Sequence, residues 1–171
     1  MTLRTRRDLS IPLDKRYAAF LKGKSVALVG PSPSIKGTGK GAFIDSHDIV
    51  VRLNKAIPVP LALTTDIGAK TDILYNCLKP GSNAGGDINP KLWAKKGVKY
   101  VSSPYPKIMF AKHDILKFVK LNKGLLDFHI FPREFYARLR NELNTRPNTG
   151  FLAIIDLLLY DIKCLYVTGI T

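Results

Sequence analysis

Glycine, serine and asparagine side chains recur in this chain just past apolar runs, where a phosphate could be held. In "VALVGPSPSIKGTGKGAFIDSHDIVVRLNKA", Gly30 and Ser32 follow the first run, Gly37, Gly39 and Gly41 make a small-residue loop, and Asn54 closes the next run. Such a loop can present backbone N–H groups to an anion. An Asn amide can donate to a phosphate oxygen and accept from a ribose hydroxyl. Farther along, Asn148, Thr149 and Gly150 precede the apolar run "FLAIIDLLLY". Asn148 or Thr149 is a good helix N-cap there, and the same helix start can hold a carboxylate or phosphate. Asp45, His47 and Asp48 have the residue types for acid–base work, and His47 is the one local candidate for a base.

Two common phosphate loops are excluded. A Walker loop would place Gly where Ser34 stands and a hydroxyl residue where Gly41 stands. The dinucleotide pattern G-x-G-x-x-G fails because the run is Gly-Thr-Gly-Lys-Gly and lies several residues beyond the strand end. There is no Asp-x-Asp and no cluster of His or Cys, so neither a metal nor a cofactor is expected.

These residues must be positioned by a sheet. "SVALVG", "DIVVRL", "DILYNC", "VKYVSS", "LLDFHIF" and "CLYVTG" read as strands buried on both faces. Helical spacing lies between them at Ile108, Ala111, Ile115 and Phe118, and at Phe135, Leu139 and Leu143 behind Pro132. "GFLAIIDLLLY" is apolar all round and reads as a buried helix. The alternation predicts an α/β fold, an open, mostly parallel sheet flanked by helices. "IPVPLAL" and "KPGSNAGGDINP" read as loops, the second rich enough in glycine to be mobile. The chain stops just past the last predicted strand, without a closing helix, as a C-terminally incomplete domain would. A basic segment and helix over 1–23 would precede one domain over 24–171.

The 171 residues suffice for one core, and with 46% hydrophobic and 23% charged residues the chain is a folded one. A formal net charge of +14 suits an anionic partner: nucleotide, nucleic acid, acidic sugar or anionic membrane surface, the last as a peripheral contact. The basic residues are scattered, with only "LRTRRDL" dense, and no aromatic-interleaved stripe marks a specific nucleic-acid binder. No apolar run is long enough to span a bilayer, and the basic first residues, with no continuous apolar run behind them, do not read as a signal peptide. Cys77 and Cys164 read as buried free thiols.

Taken together, Gly30-x-Ser32, "IKGTGKG", "IDSHDIVVRLNKA" and "DIGAKTDILYNC" resemble the large sialylmotif of glycosyltransferase family 29, the sialyltransferases. "RPNTGFLAIIDLLLYDIKCLYVTG" resembles the small sialylmotif. The resemblance covers roughly 24–78 and 146–169, in the family's order. It implies an α/β/α fold, a variant of the GT-A class. It also implies metal-independent, inverting transfer of sialic acid, or a related ulosonic acid such as Kdo, from its CMP conjugate to a glycan hydroxyl. Gly30, Ser32, Asn54, Asn148, Thr149 and Gly150 would then bind the donor. Three departures stand out. The family's Asn after the first Gly is Pro31 here. The cysteine that would link the two motifs is Val26, which fits a cytoplasmic enzyme of microbial or viral source better than a Golgi one. The family's general-base His would lie beyond Thr171, and no His follows His129. Two other readings stay open: a non-catalytic CMP- or anion-binding module, and a general nucleic-acid binder driven by charge.

Overall fold

The computed structural model describes residues 12–106 and 111–170. Ile108 of the expected helix, the basic run at 3–9 and Thr171 lie outside the described residues. All six expected strands form: β1 Ser25–Val29, β2 Ile49–Leu53, β3 Ile73–Tyr75, β4 Tyr100–Ser103, β5 Asp127–Ile130 and β6 Cys164–Thr168. Every pairing is parallel, in the order β5-β4-β3-β2-β1-β6. The chain walks outward from β1 to β5 and then returns to lay β6 on the far side of β1. The order therefore reverses at β1, and in open parallel sheets ligands enter at such a switch point, outside the carboxyl ends of the strands.

Strand alternation sends successive side chains to opposite faces. On one face Val26, Leu28, Ile49, Val51, Ile73 and Tyr75 pack against α1 (Lys15–Leu21) and α7 (Thr149–Leu158). Phe135 of α6 (Arg133–Leu143) joins this face, and Tyr136 and Leu139 pack on Leu152 of α7. On the other face Ala27, Val29 and Val50 meet Ile44 of α2 (Gly41–Asp45) and Ile67 of α3 (Thr64–Ile67). Beside them Leu74 and Val101 meet Trp93 of α4 (Pro90–Lys95) and Ile115 and Phe118 of α5 (Ala111–Asn122). The result is the expected α/β/α sandwich.

The edge strands depart from the expected two-sided burial. β6 has no residue in the buried class, and Cys164 is exposed, not buried as its apolar run suggests. Cys77 is half-buried. The loop expected over 79–90 carries hydrogen bonds in its first part: Gly85 N–H donates to the Lys79 carbonyl at 2.8 Å, and Lys55 Nζ donates to the Ser82 carbonyl. Among the described residues no helix is long and apolar enough to cross a membrane.

Candidate functional site

The loops after β1, β2, β3 and β6 and the start of α7 enclose one open cleft of about 1650 Å³ at the switch point. Gly30, Ser32, Asn54, Asn148, Thr149 and Gly150 all line it, so the structure gathers all six sequence-derived donor residues in one place. Lys36, Lys55, Lys79 and Arg146 line it too, against Asp66 and Asp114, leaving the cleft basic. Arg146 is held with its guanidinium 4.4 Å from the Tyr105 ring centroid.

The floor is set by backbone contact between β1 and β6. Gly30 N–H donates to the Thr168 carbonyl at 2.8 Å, and Ser32 N–H to the Gly169 carbonyl at 2.9 Å. A Cβ at Gly30 would lie 2.2 Å from the Gly169 carbonyl oxygen, so only glycine fits. Ser32 Oγ is within 2.9 Å of Ser34 Oγ and accepts from Ser34 N–H, capping a short 3-10 turn at Pro33–Ile35. The main-chain N–H groups of Gly30 and Ser32 are thus engaged within the fold.

The glycine loop is also engaged. Gly37 and Gly39 take the positive φ expected of them, 75° and 62°, which aims their N–H groups to one side. What receives those groups is the carboxylate of Asp66, 29 and 27 residues along the chain, at 2.8 Å from Gly37 N and 2.9 Å from Gly39 N. Those two N–H bonds hold the Asp66 carboxyl below the usual range. Gly41 does not take a positive φ; it begins α2, packed close under the Thr64 carbonyl. The loop that looks most like a phosphate cradle holds an internal anion.

Asn54 sits at the end of β2 with φ 49°, a left-handed conformation that Asn tolerates better than most residues. Its N–H donates to the Tyr75 carbonyl at 2.7 Å, and its side-chain Oδ1 accepts from Cys77 N–H at 3.1 Å. Nδ2 makes no hydrogen bond with the described residues, so the amide offers the cleft chiefly a donor. The fully buried Asn76, which sequence reasoning passed over, braces this corner. Its Nδ2 donates to the carbonyls of Asn54 at 3.2 Å and Gly85 at 2.9 Å. Arg52, two residues before Asn54, points to the opposite face from Leu53 and is 1% exposed. Nη2 donates to the carbonyls of Ile67 and Gly68, and Nε to the Lys70 carbonyl and Thr71 Oγ1, all within 3.1 Å. Burial brings this guanidinium down to about 10, Asp45 opposing. Arg52 thereby fixes α3, which carries Asp66. A charged residue inside an apolar strand was the available signal for it.

At α7 the position is reversed. Asn148 is the N-cap: Oδ1 accepts from Phe151 N–H at 2.8 Å. The N–H groups of Thr149 and Gly150 make no hydrogen bond with the described residues, and neither does Asn148 Nδ2. These donors, together with the positive end of a 10-residue helix, converge on the cleft.

Asp45, His47 and Asp48 lie away from the cleft. Asp45 accepts from the N–H groups of Ala69 and Lys70 at 2.8 and 3.0 Å. His47 Nδ1 lies 3.0 Å from the Phe43 carbonyl oxygen, orienting the turn between α2 and β2. Asp48 binds Ser25 at the opposite end of the strands. His47 is therefore misplaced for a base acting in the cleft. Among the described residues His113 is exposed on α5, His129 is buried in β5, and neither lines the cleft.

The family and the fold can be compared with known proteins. The family model described as glycosyltransferase family 29 (sialyltransferase) matches residues 15–156. A sialyltransferase-like protein 2 from Oryza sativa subsp. indica is 39% identical over 69 residues, which are 40% of this chain and 15% of that protein. A crystal structure of a mammalian sialyltransferase in complex with Gal-beta-1-3GalNAc-ortho-nitrophenol superposes with a TM-score of 0.57 at 21% identity, over 86% of this chain and 56% of that one. A second crystal structure of a mammalian sialyltransferase gives 0.57 at 19%, over 92% and 57%. The chain thus spans little more than half of the solved structures it matches, and these share its GT-A-like α/β/α fold. With a family match over most of the chain and the fold in agreement, this chain belongs to glycosyltransferase family 29, the sialyltransferase family.

Proposed function

We propose that the cleft binds the nucleotide of a CMP-activated sialic acid, or of a related ulosonic acid such as CMP-Kdo, as the donor side of a glycosyltransferase. The observation that carries this is the set of free donors at 148–150 and Asn54, facing the same basic cleft at the sheet's switch point. A phosphate or sugar carboxylate at α7 meets helix N–H groups and the helix dipole, worth roughly 0.3 to 2 kcal/mol for the dipole alone. Lys36, Lys55 and Arg146 add charge, so the reading needs no metal to neutralise the leaving phosphate.

Inverting transfer breaks the bond from the anomeric carbon to the CMP phosphate oxygen and forms one to an acceptor glycan oxygen. That hydroxyl must lose its proton as it attacks, and a positioned base typically contributes about 10²- to 10⁴-fold. None of the described histidines lines the cleft. This chain is therefore expected to bind CMP or CMP-sugar and to transfer little or nothing. A non-catalytic CMP-binding role shares that observation.

Calorimetry with CMP tests the reading. Asn54→Ala should weaken CMP by about 1 to 3 kcal/mol, the range for a lost hydrogen bond to a charged group. Equal affinity in a folded variant would remove the assignment. EDTA should leave CMP affinity unchanged. Affinity for any polyanion, collapsing with salt and showing no preference for CMP, would instead favour the nucleic-acid reading. Robust transfer from CMP-sialic acid by this chain, lost on His47→Ala, would overturn the placement of the base.

A further inference from the structure

We propose that His129 is a positioning residue for the cleft: an imidazolium held between Asp14 and Asp156 that locks α7, and with it the anion-facing end at 148–150, to α1 and β3. The proposal rests on the donor-binding reading of that end.

His129 Nε2 lies 3.0 Å from Asp156 Oδ2, and Nδ1 lies 3.3 Å from Asp14 Oδ2. A neutral imidazole has one N–H and one lone pair, so with a carboxylate at each nitrogen one pair would be repulsive. Only the cation donates to both. Both His129 and Asp156 are buried, at 1% and 0% side-chain exposure, so the charges meet inside the molecule. Tyr75 Oη donates to the same Asp156 oxygen at 2.8 Å, and Tyr17 Oη lies 3.0 Å from Tyr75 Oη. The groups facing the imidazole come from every neighbouring element. Tyr17 of α1 stacks on it at 4.1 Å, Tyr160 after α7 meets it edge-on at 5.9 Å, and Tyr100 of β4 packs on Tyr17. The ion pair Arg16–Asp127 lies at the same sheet edge.

This cluster grips both walls of the cleft. Asp156 lies two turns along the helix whose first residues carry the free N–H groups. Tyr75 holds Asp156 through its hydroxyl and Asn54 N–H through its carbonyl. On the far side Asp14 is also the N-cap of α1, accepting from the N–H groups of Arg16 and Tyr17. Burial works against the charged ring, but the Asp156 charge and the hydrogen bonds to Asp14 and Asp156 outweigh it and raise His129 to about 9. The bond from His129 brings Asp14 down to about 2. A raised pKa means that the contribution of His129 is complete below about 6.5 and is lost as pH rises through about 9. The contribution of Asp14 is complete above about 3.8 and is lost as pH falls through about 2.

The experiment follows the His129 ring and the amides of Thr149 and Gly150 by NMR from pH 6 to 10, alongside CMP affinity. The ring should stay protonated past pH 8, and the two amides should shift with its midpoint. CMP should weaken by roughly 5-fold or more across that midpoint, the usual size of a coupling between sites. Asp14→Asn leaves Asp156 in place and should lower both midpoints together. His129→Gln, where it folds, should bind CMP more weakly and without that inflection. A ring titrating near its ordinary 6.5, or amides at 149 and 150 indifferent to it, would overturn the proposal. Amides that follow the ring in a protein that binds no CMP would uphold the coupling and overturn the donor reading instead.

Discussion

The glycine loop at 37–41 and the start of α7 at 148–150 present opposite cases. The loop has the composition of an anion cradle, with two glycines at positive φ and a lysine, yet its N–H groups already close on Asp66. The start of α7 has the composition of a helix cap, yet Thr149 and Gly150 keep N–H groups that nothing among the described residues engages. An anion site needs unengaged donors, and a count of glycines does not supply them. A buried or looped donor that has found a partner within the fold is part of the scaffold. Asp66 acts inside the loop as a substrate phosphate would act from outside, and so stabilises the loop without a ligand.

The largest effect that sharpens this comparison should come from Arg52→Met. The side chain has similar length but would leave the carbonyls of Ile67, Gly68 and Lys70 without their donor. Each buried group left unsatisfied costs about 1 to 3 kcal/mol, so urea unfolding should show a loss of more than about 3 kcal/mol. A smaller loss would mean that α3, and hence Asp66, is not held by this residue.

Asp66→Asn comes next and tests the loop directly. It removes the charge from two hydrogen bonds on an exposed surface and should lower the urea midpoint by less than Arg52→Met does. CMP affinity should stay the same, because the phosphate is proposed to sit at α7, away from this loop. A clear tightening of CMP would break the comparison, since it would mean that the vacated cradle takes the phosphate.

The smallest effect belongs to Asn148→Ala. Loss of an N-cap typically costs about 1 kcal/mol, read as a lower midpoint in thermal unfolding. The same variant should lose CMP affinity while Asp66→Asn does not. If Asn148→Ala changes stability alone, the residue is a cap and nothing more.

Much of the architecture was legible in the residues. Each of the six strands is a short apolar run bounded by turn residues, and the fully apolar "GFLAIIDLLLY" could only be a helix inside the fold. The residues that line the cleft were legible because strand ends and a helix start are local features, and a parallel sheet brings its carboxyl ends to one edge. Burial at the sheet edge was not legible. Cys164 sits in a run as apolar as the others, but β6 is the last strand of the sheet and has a neighbour on one side only.

The residue order alone was enough for the six strands, the longer helices, an N-cap at Asn148 or Thr149 and the class of fold, because these depend on periodicity and on turn chemistry within a few residues. Only the tertiary structure decided which donors remain free. Asp66 reaches back to Gly37 across 29 positions, and His129 meets Asp14 across 115 and Asp156 across 27. A local pattern shows which polar groups a segment carries. Whether those groups are satisfied within the protein or left for a ligand depends on residues that chain folding alone brings within about 3 Å.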